Sequence, residues 1–189
     1  MPRWEGDAVG RLERAALELF DERGFDRTTV AEIAKRAGLA ERSFYRYFSD
    51  KREALFASDE ELVELLTQAV RDAPGDMGSL DALLGGVREA ERLFRPKDFL
   101  RVRERVIDAN PELRERELRK TTTLVTTLVA AVRERGTDET TARVATDMAM
   151  WIWRLAAEHW ARDEDATWPD EVTEAARQFR QIAAEVTAG

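Results

Sequence analysis

Apolar positions recur at three- and four-residue spacing along nearly the whole chain, and no segment of a strand's length alternates with period two; the pattern predicts an all-α protein of about nine helices. Over residues 7–23, Val9, Leu12, Ala16, Leu19 and Phe20 share one face, and Gly24 supplies the stop. Thr29-Val30-Ala31-Glu32 is a capping box: the threonine hydroxyl accepts from the amide three residues on, and the glutamate reaches back to the threonine amide. It opens a short helix to Ala37 with Val30, Ile33, Ala34 and Ala37 inward. Gly38-Leu39 ends that helix, and a second short one is expected over residues 41–48. Ser49 or Asp50 would cap a long fourth helix over residues 51–71, with Leu55, Leu62, Leu66 and Ala69 as its buried stripe. The clearest break is Pro74-Gly75-Asp76-Met77-Gly78. Helices are expected next over residues 79–94 and 97–109. Asn110-Pro111 reads as an N-cap and a first-turn proline for a helix to Arg135. Gly136 stops it, and residues 138–162 and 169–187 complete the set.

Composition narrows the function classes. The 189 residues include no cysteine and one histidine, His159, which excludes disulfides, thiolate zinc, iron–sulfur clusters and multi-histidine metal sites. No carboxylate pair, nucleophile with base or phosphate-binding glycine loop can be assembled, so neither an enzyme nor a cofactor is expected. The longest uncharged stretches, 121–132 and 148–153, fall short of the roughly 20 residues of a membrane span. With no secretory signal at the N-terminus, a cytoplasmic protein without membrane contact is the expectation.

The net charge of -8 argues against an anionic partner only until it is located. Residues 23–52 carry eight basic side chains against four acidic ones, a cationic island inside an otherwise acidic chain. The island coincides with two short helices meeting at Gly38, the layout of a helix-turn-helix. The second of these places Glu41, Arg42, Ser43, Tyr45, Arg46 and Tyr47 around a face set by Phe44 and Phe48. Donors near its N-terminus suit base edges, and the flanking cations and hydroxyls suit phosphates.

These residues carry a resemblance. Residues 29–39, then Ser43-Phe44-Tyr45-Arg46-Tyr47-Phe48 and Asp50-Lys51-Arg52-Glu53-Ala54-Leu55-Phe56, closely resemble the DNA-binding domain of TetR-family transcriptional regulators, and the helix holding Ala15-Ala16-Leu17-Glu18-Leu19-Phe20 fits as well. The family often has serine at the position of Ala40 and glycine at that of Arg42. The resemblance implies a helix-turn-helix DNA-binding domain over residues 1–52 and an effector-binding and dimerisation domain over 53–189. It implies phosphate contacts from Thr29 and Lys51, base-edge contacts from Arg42, Ser43 and Tyr45, and backbone contacts from Arg46 and Tyr47, on a palindromic double-stranded operator. Lys35 and Arg36 are read as surface residues.

In the second part the helix over 138–162 is apolar nearly all round, as befits burial on two sides. Trp151, Leu155, Phe179, Ile182 and Val186 are the expected homodimer surface. Leu62, Leu66, Phe94, Phe99, Val102, Val106, Leu124, Leu128, Met148 and Ile152 are the candidate pocket for a small hydrophobic or amphipathic effector. Between Arg92 and Arg105 six basic residues face two acidic ones, which would suit an anionic head on an apolar tail; with Asn110-Pro111-Glu112-Leu113 this faintly resembles acyl-CoA-responsive members of the family. The favoured reading is a ligand-released repressor. The alternative is a helical ligand-binding or adaptor protein whose helix-turn-helix is only structural.

Overall fold

The computed structural model describes residues 8–187, with side chains through Glu185, and the described residues are helical with no strand. In chain order the helices are α1 (Ala8–Arg23), α2 (Val30–Arg36), α3 (Glu41–Tyr45), α4 (Asp59–Asp72), α5 (Ser79–Glu89), α6 (Lys97–Ala109), α7 (Pro111–Glu134), α8 (Glu139–Arg162) and α9 (Trp168–Thr187). Short 3-10 turns occupy Glu53–Phe56 and Ala90–Leu93. The chain packs as two units, one of Met1–Asp59 with Asp98–Lys120, the other of Glu60–Lys97 with Thr121–Gly189. α6 and the first part of α7 belong to the N-terminal unit.

The expected fourth helix from Lys51 does not form as one piece. The Asp50 side chain accepts from the Arg52 amide at 2.8 Å, and Leu55 N donates to Arg52 O at 3.1 Å, the three-residue spacing of a 3-10 turn. Ala54, Leu55 and Phe56 are all buried, and one stripe of an α-helix cannot bury three consecutive residues together. At the start of α7 the Asn110 carbonyl accepts from Leu113 and Arg114, while its side chain donates to Val106 O at 2.5 Å and so closes α6.

In the N-terminal unit, Leu12, Ala16, Leu19, Phe20 and Phe25 pack with Ile33, Phe44, Phe48 and Leu55, and Val106, Ile107 and Leu113 join them. Beside this core the buried Phe56 ring is faced by the cationic groups of Arg103, Arg116 and Lys120 at 5.0, 4.6 and 5.9 Å. Arg116 forks onto Glu53 at 2.8 and 2.9 Å, and Arg103 bonds Glu117 at 3.0 Å. Lys120 lies 3.3 Å from Asp59 Oδ1, and Arg116 lies 3.5 Å from Oδ2, which has no hydrogen-bond partner among the described residues. Burial pushes the Asp59 carboxyl above the ordinary aspartate range despite Lys120, Arg103 and Arg116 nearby.

Ionised Asp59 therefore costs the fold stability. Its contribution is most favourable below the ordinary aspartate pKa and declines as pH rises through the raised folded value. Relative to wild type, Asp59→Asn is expected to gain stability as pH rises from acid to neutral, because the variant lacks the carboxyl whose ionisation burial opposes. Calorimetry at neutral and acidic pH checks this; a variant that loses ground to wild type as pH rises would mean that the Lys120 and Arg116 pairs outweigh burial.

In the C-terminal unit α8 packs its Ala145, Ala149, Ile152, Ala156 and Trp160 face inward, with Leu83, Leu84, Val87, Leu124, Leu128, Val172 and Ala176 also buried. Gly86 lets α5 approach α4: a Cβ there would sit 3.1 Å from Ala69 Cβ and 3.2 Å from Leu66 Cδ2. The Arg135 guanidinium closes the end of α4 by donating to the carbonyls of Val70, Ala73, Pro74 and Met77 at 2.6–3.1 Å. Trp168 is fully buried, donates from Nε1 to Val87 O at 2.7 Å, and packs with Phe94, Trp153 and Trp160.

Candidate nucleic-acid interface

The capping box forms as the spacing predicts. Glu32 N donates to Thr29 Oγ1 at 3.3 Å, and Glu32 Oε2 accepts from both the Thr29 amide and hydroxyl at 2.9 Å. Those bonds from Thr29 hold the Glu32 carboxyl below its ordinary range. Gly38 ends α2 at φ +68°, a backbone conformation disfavoured for any residue with a Cβ. Leu39 N then donates back to Ala34 O at 2.8 Å. The N-cap of α3 is Ala40, which offers no side-chain bond.

The α-helical part of α3 is one turn shorter than expected. Residues 46–48 continue as a tighter turn in which Tyr47 N and Phe48 N both donate to Phe44 O, at 2.9 and 3.0 Å. Phe44 and Phe48, four apart, are buried with ring centroids 5.3 Å apart. Their burial leaves Arg42, Tyr45, Arg46 and Tyr47 exposed and Ser43 half-buried. Tyr45 is 55% exposed and Tyr47 39%, large values for aromatic residues. Arg46 and Tyr47 form one unit, the guanidinium 4.5 Å from the ring centroid and donating to the phenol oxygen.

Five of the island's eight cations already hold partners within the protein. Arg36 forks onto Glu22 at 2.8 and 2.9 Å and reaches Glu18 at 3.1 Å; its hydrogen bonds hold the Glu22 carboxyl below its ordinary range. Arg23 pairs with Glu32 at 3.0 Å and Arg52 with Asp50 at 2.6 Å. Arg27 donates to Arg23 O, and Lys51 to the carbonyls of Phe25 and Thr28. Lys35, Arg42 and Arg46 are exposed, and among the described residues none has an acidic partner within 4 Å. Within residues 23–52 the exposed cations that hold neither an acidic nor a carbonyl partner therefore lie on α2, on α3 and just after α3.

On the C-terminal unit, Val144, Trp151 and Ile182 are exposed along α8 and α9. Trp151 stands 6.2 Å from Phe179, centroid to centroid, with Leu155 half-buried. The side chain of Val186 lies outside the described residues. The ten candidate pocket residues are divided between the two units. Leu66, Leu124, Leu128 and Ile152 are buried in the C-terminal unit, while Leu62 and Met148 are partly covered there. Phe94 belongs to the tryptophan cluster. Phe99, Val102 and Val106 pack on the N-terminal core. None of the ten lines the groove of about 340 Å³ that α4 and α5 enclose, whose walls are Leu65, Gln68, Ala69, Asp72, Ala73, Pro74, Met77, Ala82, Gly85, Glu89 and Arg92. No helix among the described residues is long and apolar enough to cross a membrane, and none of their acidic and histidine side chains cluster as a metal site.

Residues 13–58, which contain α2, α3 and the turn after them, match the family described as "Bacterial regulatory proteins, tetR family". The chain is 33% identical over 78 residues to the HTH-type transcriptional regulator TcmR of Streptomyces glaucescens, a match covering 41% of this chain and 34% of that protein. It spans between about a third and a half of the length of the first curated relatives it matches. Among solved structures, the SmeT–triclosan complex superposes with a TM-score of 0.63 at 17% identity, covering 90% of this chain and 88% of that one. NalD, the secondary repressor of the MexAB-OprM multidrug efflux pump in Pseudomonas aeruginosa, superposes with a TM-score of 0.59 at 20% identity, covering 92% and 94%. At these identities the two structures establish the common fold.

Proposed function

We propose, from the match of residues 13–58 to the tetR family of bacterial regulatory proteins, that these residues form a DNA-binding domain and that the chain is a cytoplasmic, homodimeric one-component regulator of transcription, a repressor that leaves a palindromic operator when a small hydrophobic or amphipathic effector binds. The observation that carries this reading is the division of α3. Phe44 and Phe48 serve the core, while Arg42, Tyr45, Arg46 and Tyr47 face solvent, and neither arginine has an acidic partner among the described residues. Arg42, Ser43 and Tyr45 meet base edges in the major groove, the Arg46–Tyr47 unit holds the flanking backbone, and Thr29 meets a phosphate at the start of α2. A structural helix-turn-helix in an adaptor would gain little from two exposed tyrosines.

Dimerisation supplies the second recognition helix. Two copies about 34–36 Å apart read successive major grooves of a palindrome. Val144, Trp151, Leu155, Phe179 and Ile182 supply an apolar surface for a second copy. Fluorescence anisotropy with the palindrome upstream of the chain's own gene tests the reading, and equal affinity for a scrambled duplex would sink it. Arg42→Ala is expected to relax preference at one base pair per half-site by about 1–3 kcal/mol. Duplexes substituted at each position check this; an equal loss at every position would assign Arg42 to the DNA backbone instead.

An acyl-CoA-like effector would need its anionic head met by the arginine-rich segment. There Arg92 pairs with Glu89, Arg103 with Glu117, Arg105 with Asp21, and Lys97 donates to the carbonyls of Asp163, Glu164 and Ala166. Those pairings favour an effector recognised by apolar contact, and triclosan, found on a protein of the same fold, is the first probe.

A further inference from the structure

A threonine inside a helix ordinarily turns its hydroxyl back to the carbonyl four residues earlier. In the C-terminal unit Thr126, Thr127, Thr146 and Thr173 all do so, donating to the carbonyls of Thr122, Thr123, Ala142 and Pro169 at 2.8 or 2.9 Å. Thr67, inside α4, departs from them. It is 6% exposed, and its hydroxyl has no hydrogen-bond partner among the described residues. Such a hydroxyl forfeits on folding the bonds it makes to water in the unfolded chain, a loss that valine, of nearly the same shape, would not incur.

The neighbours of Thr67 set the direction it faces. Leu65, Leu66 and Thr67 are consecutive and all buried, so this stretch of α4 is covered from more than one side. Leu65 lines the α4–α5 groove, and Leu66 lies on the side that Gly86 lets α5 approach. Thr67 sits one turn before Arg71, which forks onto Glu134 of α7 at 2.8 and 3.1 Å. Its hydroxyl therefore belongs to the α7 side of α4, away from the groove. Apart from the tryptophans, the only other polar residue buried in this unit among the described ones is Thr146, which already donates to Ala142 O, and no charged side chain of the unit is buried. An ionised group entering this interior would lose its hydration and meet no buried counter-charge. A neutral hydroxyl, carbonyl or amide would meet Thr67.

We propose that Thr67 selects the effector by its polar end: its hydroxyl hydrogen-bonds one neutral group of a compact, otherwise apolar molecule held against α4. This role rests on the proposed regulatory function, whose effector it narrows to neutral molecules.

Two substitutions and two probes test it. Thr67→Val removes the hydroxyl and keeps the shape, whereas Thr67→Ser keeps the hydroxyl. Thymol and p-cymene share one skeleton, and only thymol carries a hydroxyl. In equilibrium dialysis without DNA, the wild-type chain should bind thymol about tenfold more tightly than p-cymene. In Thr67→Val the two should bind within about twofold of each other, and Thr67→Ser should keep most of the preference. Without ligand, Thr67→Val should melt above the wild type. A wild-type chain that binds neither probe, or both alike, would overturn the proposal, as would a thymol preference that survives in Thr67→Val. A lower midpoint for Thr67→Val would show that the hydroxyl is already satisfied in the folded chain and would overturn it as well. None of these outcomes involves DNA; the regulatory reading fails separately, if the wild-type chain selects no duplex from a random pool.

Discussion

Phe44→Ala should abolish the proposed sequence-specific DNA binding while leaving the proposed dimer intact. Phe44 has no exposed surface and packs against Phe48 and, edge-on at 5.7 Å, against Tyr45. Truncating a fully buried phenylalanine costs about 3–5 kcal/mol, a large share of what a small helical unit has to spare. The loss falls on α3 in particular, because its five residues are anchored by this ring and its N-cap offers no side-chain bond. Phe44→Leu preserves most of the volume and should cost less than about 1.5 kcal/mol, retaining the preference for the specific duplex. Thermal unfolding followed by circular dichroism gives the stability, anisotropy the DNA affinity, and light scattering the mass. An alanine variant that stays folded and still discriminates duplexes would show that α3 is not the reading element.

Much of this unit was legible in residue order because its determinants are local. The capping box spans four residues, the Gly38 stop one, and the Phe44–Phe48 pair a single turn. The fate of the charges was not legible in the same way. Arg36 is neutralised by Glu18 and Glu22, which lie a helix and a turn earlier and meet it only when α1 packs on α2. The two carbonyls to which Lys51 donates are backbone groups, invisible in a count of side-chain charge. The apolar stripe of α6 shows the same limit: three- and four-residue spacing states that Val102 and Val106 are buried but not in which core, and the structure puts them with α1 and α3. The four carbonyls gathered by Arg135 likewise leave no trace in sequence beyond the Pro74–Gly78 break that they stabilise.

Ile182→Glu should convert the proposed dimer to a monomer and weaken operator binding more than any single base contact could. Ile182 is 55% exposed in the single chain, so its replacement leaves each subunit's own packing undisturbed. In a two-fold interface the same surface serves both copies, and every substitution enters twice. A carboxylate buried there without a partner costs about 3–5 kcal/mol, and Glu185, three residues on along the same helix, adds to the local negative charge rather than relieving it. The expected readings are a halved mass by light scattering, an unchanged circular dichroism spectrum, and a loss of more than about a hundredfold in affinity for the palindrome, since a monomer engages one half-site only. Affinity for an isolated half-site should stay at the wild-type monomer's level, which separates loss of dimerisation from damage to α3. If the variant remains a dimer at wild-type concentrations, the second copy is not held by this face of α8 and α9, and the exposure of Val144 and Trp151 would need another explanation.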